Sequence, residues 1–232
     1  MSGHTGFLCA DGLADRRVMC TMADPHAAGI FGDCLFVIAP QHSYDAARSL
    51  EKFAAIAEAA PSGMEGSDVA AAMALRLRAL REAAEAEAAS NAATEANLNG
   101  TPVFYGQSVQ LRHVKSSKLL AMITKSVAHL ETACTLVALR TNASVAGLFT
   151  VRPRFKLRQL GDRVCVGDCA VFMAAKTGLY LHVSSGGFDV AGTYREVNGS
   201  TVARAGLRIV LYSDYMATAS TNNVVMGGDL VR

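Results

Sequence analysis

The sequence of 232 residues predicts a mainly β fold, a β-trefoil with an inserted helix-turn-helix arm, on three observations. Short apolar runs broken by Gly, Asp and Pro fill both ends of the chain, an alanine-rich helical zone at about 43–98 separates them, and one hairpin-like unit recurs. Gly106-Gln-Ser-Val109-Gln-Leu111-Arg-His113 through Leu120 aligns without gaps with Gly167-Asp-Cys-Ala170-Val-Phe172-Met-Ala174 through Leu181. The two leading glycines lie 61 residues apart, and 61 further on Gly228-Asp229-Leu230-Val231-Arg232 repeats the start of the unit. A hairpin returning at wide, equal intervals suits a pseudo-threefold barrel, each hairpin supplying part of the barrel or its cap. A β-sandwich is the other architecture this pattern fits.

In chain order, Phe7-Leu8-Cys9 and Cys34 to Ile38 have the length and punctuation of short strands. Ser43 is placed to cap a first helix running to about Ala60, which Pro61-Ser62-Gly63 ends. A second helix is expected from Ser67-Asp68 to about Asn97, with Val69, Met73, Leu77 and Leu80 on one face. Beyond Leu80 that stripe is almost all alanine, leaving the far part to solvent or a partner. The two repeated units then read as β-hairpins, each with a strand after a glycine turn, a Lys-Ser-Ser or Lys-Thr-Gly turn and a second strand.

Composition narrows the function. The chain is 51% apolar and 18% charged with a net charge of +2, which excludes disorder and gives no general basis for nucleic-acid or membrane-surface binding. No apolar run reaches the roughly 20 residues of a bilayer span. Six cysteines without a CxxC pair, and no signal-like start, favour free thiols in a reducing compartment. The triplets at Asn99, Asn142 and Asn198 read as turns. No nucleophile motif, metal-ligand spacing or phosphate-binding loop is present, so neither an enzyme, a cofactor nor a metal is expected. The six histidines are scattered, and Gly161-Asp162 and Gly167-Asp168 read as turn chemistry. Arg152, Arg154, Lys156 and Arg158 alternate as though along one side of an extended segment, which fits an anion-binding face, a protein-contact edge or a solvated strand face.

Several stretches, in order, carry a resemblance: Thr5-Gly-Phe-Leu, Gly12-Leu-Ala-Asp-Arg-Arg-Val18, Asp33-Cys-Leu-Phe36, Pro40 to Tyr44, Tyr105 to Lys118, Phe155-Lys-Leu-Arg158, Gly161-Asp162 and Val166-Gly-Asp168. Together they closely resemble the amino-terminal suppressor domain of inositol 1,4,5-trisphosphate receptors, intracellular calcium-release channels. The resemblance implies a β-trefoil over residues 1–222, with residues 223–232 starting a second trefoil that belongs to the ligand-binding core. It further implies a non-catalytic domain at the cytosolic face of an intracellular calcium-store membrane. Such a domain lowers ligand affinity and couples binding to gating without holding the ligand itself.

The partners implied are the ligand-binding core of the same chain, neighbouring subunits of a homotetramer and regulatory proteins. Toward the core the matching positions are Leu13, Asp15, Arg17 and Lys118. Toward the neighbouring subunit they are Phe155, where the family commonly has tyrosine, and Lys156. Ryanodine receptors share the architecture, and the trefoil of protein O-mannosyltransferases and a stand-alone carbohydrate-binding trefoil are the competing readings. Two departures stand out. The arm is unusually rich in alanine, and the Ile-Gly-Asp strand that precedes Thr5 in the family has no counterpart, so either the start is truncated or a strand is missing from the first trefoil unit, leaving an open barrel edge.

Overall fold

The computed structural model describes residues 6–26, 28–59, 68–143, 145–203, 206–212 and 223–232. The helix break at Pro61 to Gly63, the start at Ser67, His4, Thr5, Ser144 and residue 222 lie outside them. The chain forms two units, Met1–Gln41 with Leu98–Arg232, and His42–Asn97.

The first unit is a closed β barrel. Its strands are β1 (Phe7–Cys9), β2 (Met19–Thr21), β3 (Phe36–Ala39), β4 (Ser108–His113), β5 (Leu119–Val127), β6 (Thr135–Arg140), β7 (Leu148–Pro153), β8 (Cys169–Ala174), β9 (Tyr180–Gly187), β10 (Tyr194–Ser200), β11 (Leu207–Arg208) and β12 (Leu230–Val231). Six of them close a ring of antiparallel neighbours in the order β12, β3, β4, β7, β8, β11. The last joint, from β11 back to β12, is the bridge between Leu211 and Val231, where the amide of Tyr212 donates to the carbonyl of Leu230 at 2.9 Å. The pairs β1/β2, β5/β6 and β9/β10 form a second tier. That tier is joined by β10 to β2, by β10 to β6, and by the amide of Leu139 donating to the carbonyl of Arg16 at 2.8 Å. Each repeated hairpin therefore straddles both tiers, its first strand in the barrel wall and its second in the cap.

The period of 61 seen in the sequence is a spatial symmetry. Val103, Val164 and Val225, none more than 2% exposed, pass hydrogen bonds in a circle: Val103 N–H to Val225 at 2.8 Å, Val225 N–H to Val164 at 2.9 Å, Val164 N–H to Val103 at 2.8 Å. Just beyond them the chain turns at Gly106, Gly167 and Gly228, with φ of 94°, 85° and 86°, values an L side chain resists. The residue after each glycine locks the turn, since Gln107, Asp168 and Asp229 accept from the amides of Phe104, Cys165 and Met226 at 3.1, 3.0 and 2.7 Å. Inside the wall, Ile38, Val151 and Ile209 take equivalent places in one apolar core with Phe36, Phe149 and Val231.

Four sequence expectations are corrected here. The open edge is filled by β12, which pairs with β3 on one side and residues 210–212 on the other. Asn198 is a fully buried strand residue whose side-chain amide donates to Glu131 at 3.2 Å, not a turn. Pro153 ends β7, so Arg152, Arg154, Lys156 and Arg158 share no extended face. Arg152 contacts the Met173 sulfur at 3.7 Å, Arg154 donates to the Ala203 carbonyl, and Arg158 pairs with Asp168 at 3.3 Å. The fourth concerns the arm.

The arm holds α1 (Asp45–Glu58) and α2 (Asp68–Leu98). On α2 the half-buried stripe runs Ala70, Met73, Leu77, Leu80, Ala84, Glu87 and Asn91, in alternating steps of three and four, while Val69 is exposed. Ser43 does not cap α1 with its own oxygen. The carboxylate of Glu87 does so from α2, accepting the amides of Asp45 (2.8 Å), Ala46 (3.1 Å) and Ala47 (3.1 Å) and the hydroxyl of Ser43 (2.9 Å). Burial pushes the Glu87 carboxyl up, but those donors overcome it and hold it below its ordinary 4.5. A depressed carboxyl stabilises the fold above its unfolded value and loses that contribution as pH falls through the folded one. Helical circular dichroism of the arm should accordingly weaken on acidification below 4.5. Glu87→Ala should cost the hairpin about 2 kcal/mol at neutral pH and abolish that acid dependence.

A candidate contact surface

The loop after β1 is built to be rigid with an exposed tip. Asp11 accepts the amide of Ala14 at 2.9 Å, and Asp15 accepts the amide of Arg17 at 2.9 Å while pairing with its guanidinium. The backbone of Arg17 bridges to Ala138 and its side chain lies over the Phe188 ring at 5.6 Å, which anchors the far end of the loop. Leu13, at the tip, is 64% exposed.

The turn between β4 and β5 meets this loop from the other side. Lys118 donates its ammonium to the carbonyl of Gly12, and Lys115 bridges Asp11 at 2.9 Å and Asp33 at 2.8 Å. The hydrogen bond from Lys115 draws Asp11 below the ordinary carboxylate range, and Asp33, then Asp11, raises Lys115. Gly12 has φ of +73°, and a Cβ there would meet the Ser116 hydroxyl at 2.5 Å and His113 Nδ1 at 2.7 Å. His113 is itself buried and bonded to Ser116 at 2.9 Å. Leu13, Asp15, Arg17 and Lys118, read from distant parts of the sequence, thus form one patch. Lys118 acts from within it, fixing the loop's backbone.

Phe155 and Lys156 stand on a separate loop after Pro153. Phe155 is 60% exposed and Leu157 91%, an apolar tip on a framed base. The frame consists of Gln159 donating to Asp162 at 2.8 Å, Gly161 donating to the Tyr105 carbonyl at 2.8 Å, and the Tyr105 hydroxyl donating to Asp168 at 3.0 Å. Burial, then the bond to Asp168, pushes the Tyr105 phenol up, so it stays a donor.

Lys115, Asp33 and Gly12 escaped the sequence reading. The only signal for Lys115 was its place in the repeated Lys-Ser-Ser turn, which says nothing about a partner 82 residues away. All six cysteines are free thiols, and burial pushes Cys20 up to about 11, against a nucleophilic role. Among the described residues no group of His, Cys, Asp or Glu is arranged to hold a metal, and no helix is long and apolar enough to cross a membrane.

Comparison with known proteins adds two findings. A family model described as inositol 1,4,5-trisphosphate/ryanodine receptor matches residues 1–215. The inositol 1,4,5-trisphosphate receptor itr-1 of Caenorhabditis elegans is similar at 29% identity over 166 residues, which is 70% of this chain and 6% of that protein.

Proposed function

The chain belongs to the inositol 1,4,5-trisphosphate/ryanodine receptor family, and from that we propose that it is the regulatory, suppressor domain of an inositol 1,4,5-trisphosphate-gated calcium-release channel. In this reading the closed barrel is a β-trefoil, residues 223–232 pair within it although the resemblance assigns them to a following trefoil, and the ligand is held downstream. The domain lies on the cytosolic side of an intracellular calcium store, without catalytic activity of its own. A receptor of the inositol phosphate branch among the relatives favours that branch over the ryanodine one.

The observation that carries the reading is the joining of Leu13, Asp15 and Arg17 to Lys118 in one preformed patch. A rigid loop with an exposed leucine at its tip loses little entropy on docking. If that patch contacts the ligand-binding core better in the unliganded arrangement, apparent affinity falls by the difference, and ligand binding must move the domain. The loop of Phe155 and Lys156 supplies the second contact, toward a neighbouring subunit, with the phenyl ring as its anchor.

Phe155→Ala tests the second contact. In the full-length channel it should reduce ligand-evoked calcium release. The isolated domain should melt nearly as the wild type does, since exposed substitutions stay within about 0.5 kcal/mol. A melting loss as large as that of a core substitution, or undiminished release, would remove Phe155 from the contact surface.

A further inference from the structure

The face of the β5/β6 pair turned away from the core carries a groove of about 240 Å³ with arginines along its edge. Val137 and Leu139 belong to the core, so alternation along β6 turns Leu136, Ala138 and Arg140 the other way. Ile123 of β5 lies opposite Leu136, and these three half-buried apolar side chains form a floor that ends at the Arg140 guanidinium. The loop after β1 makes one wall. Arg17 bridges to Ala138, and the amide of Leu139, the residue before Arg140, donates to the carbonyl of Arg16 at 2.8 Å. Ser126 and His129 line the end away from Arg140, as the pairing of Arg140 with Leu119 and of Val127 with Thr135 requires. The charges of this groove do not balance. Asp15 is met by Arg17, but Arg16 and Arg140 are exposed and have no ionic or hydrogen-bonded side-chain partner among the described residues. Glu196, the carboxylate that reaches His129, is 2% exposed and taken up by the amides of His129 and Leu130 at 2.6 and 2.8 Å. Like charges held on one concave surface cost stability unless an anion joins them.

We propose that the groove binds a small soluble phosphate monoester, its dianion held by Arg16 and Arg140 and its organic body on the floor of Ile123, Leu136 and Ala138. Three features define that ligand. Two uncompensated guanidiniums match the nearly two negative charges of a phosphate monoester at neutral pH, where a carboxylate would leave one cation unmet. The planar guanidinium fork also suits paired phosphate oxygens. The apolar floor adds burial that bare inorganic phosphate cannot use. The volume lies below the roughly 300–1,000 Å³ of pockets that take drug-sized ligands, so it accepts one ring and its phosphate and not a whole nucleotide. The groove shares Asp15 and Arg17 with the contact patch, so occupancy alters the charge that patch presents, whichever partner it meets.

Phenyl phosphate is the probe. Phenyl sulfate, with the same ring and tetrahedral head but one charge, and inorganic phosphate, without the ring, are its controls. Titrated into the full chain by calorimetry at about pH 8 and low ionic strength, where the ester is a dianion and screening is weak, phenyl phosphate should bind one to one. Its Kd should lie at least about tenfold below that of either control. Arg16→Gln and Arg140→Gln should each weaken it at least about tenfold and melt as the wild type does, since both positions are exposed. Arg76→Gln, an exposed change on α2 that removes the same net charge, should leave the affinity unaltered. Equal affinity for the phosphate and sulfate esters, no saturable binding, or binding that the two groove variants do not move would overturn the proposal. Binding to phosphatidic acid vesicles without binding to phenyl phosphate would assign the anion to a membrane and overturn it as well.

Discussion

Val231→Asp should lower the melting temperature of the barrel by about 10 °C, or leave it unfolded at room temperature. Val231 is 7% exposed, on a strand of two residues bonded on both edges, among Phe36, Ile38 and Ile209. A carboxylate there is shielded from water, and the effective penalty for such a buried charge is several kcal/mol. A folded domain has about 5–15 kcal/mol in total. Val190→Asp, at a fully exposed position, is the control and should melt as the wild type does. If both variants melted alike, residues 224–232 would not belong to this barrel, and the ring of six strands would be open.

Gly12→Val should have the second largest effect, and on regulation more than on stability. A β-branched residue resists φ of +73°, at about 1–2 kcal/mol, and its Cβ would collide with Ser116 and His113. The loop must then swing off the β4–β5 turn, which breaks the bond from Lys118 to the Gly12 carbonyl and carries Leu13 away from its place. Since the barrel core is untouched, melting should fall by only about 5 °C. On the proposed suppressor role, suppression of ligand affinity should nonetheless be largely lost, because the patch no longer exists as a surface. A variant that melted slightly lower but suppressed fully would show that the loop of Leu13 is not the contact.

Much of the fold was legible because it repeats. The interval between Gly106, Gly167 and Gly228 pointed to a barrel built from a recurring hairpin, and the ring of Val103, Val164 and Val225 obeys the same interval. The role of β12 was not legible, since a Gly-Asp strand has the same pattern whichever barrel receives it. Glu87 as the cap of α1 left no local trace, because the amides it satisfies lie at least 40 residues away. The basic alternation after β7 misled because side-chain period alone does not reveal where a strand ends, and Pro153 marks that end. Asn198 looked like a turn residue by composition, but its amide is bonded to Glu131 inside the second tier. At the contact surface the exposed residues came from resemblance. The groups that hold them, Lys115 with Asp33 and the glycine at 12, became visible only once distant segments were brought together.

The proposed regulation is tested most directly by the affinity for inositol 1,4,5-trisphosphate of the ligand-binding region of the proposed channel, measured by calorimetry with and without residues 1–222. A suppressor role predicts an affinity about tenfold higher when those residues are removed, the size of an ordinary coupling free energy. Equal affinities in the two measurements would contradict it.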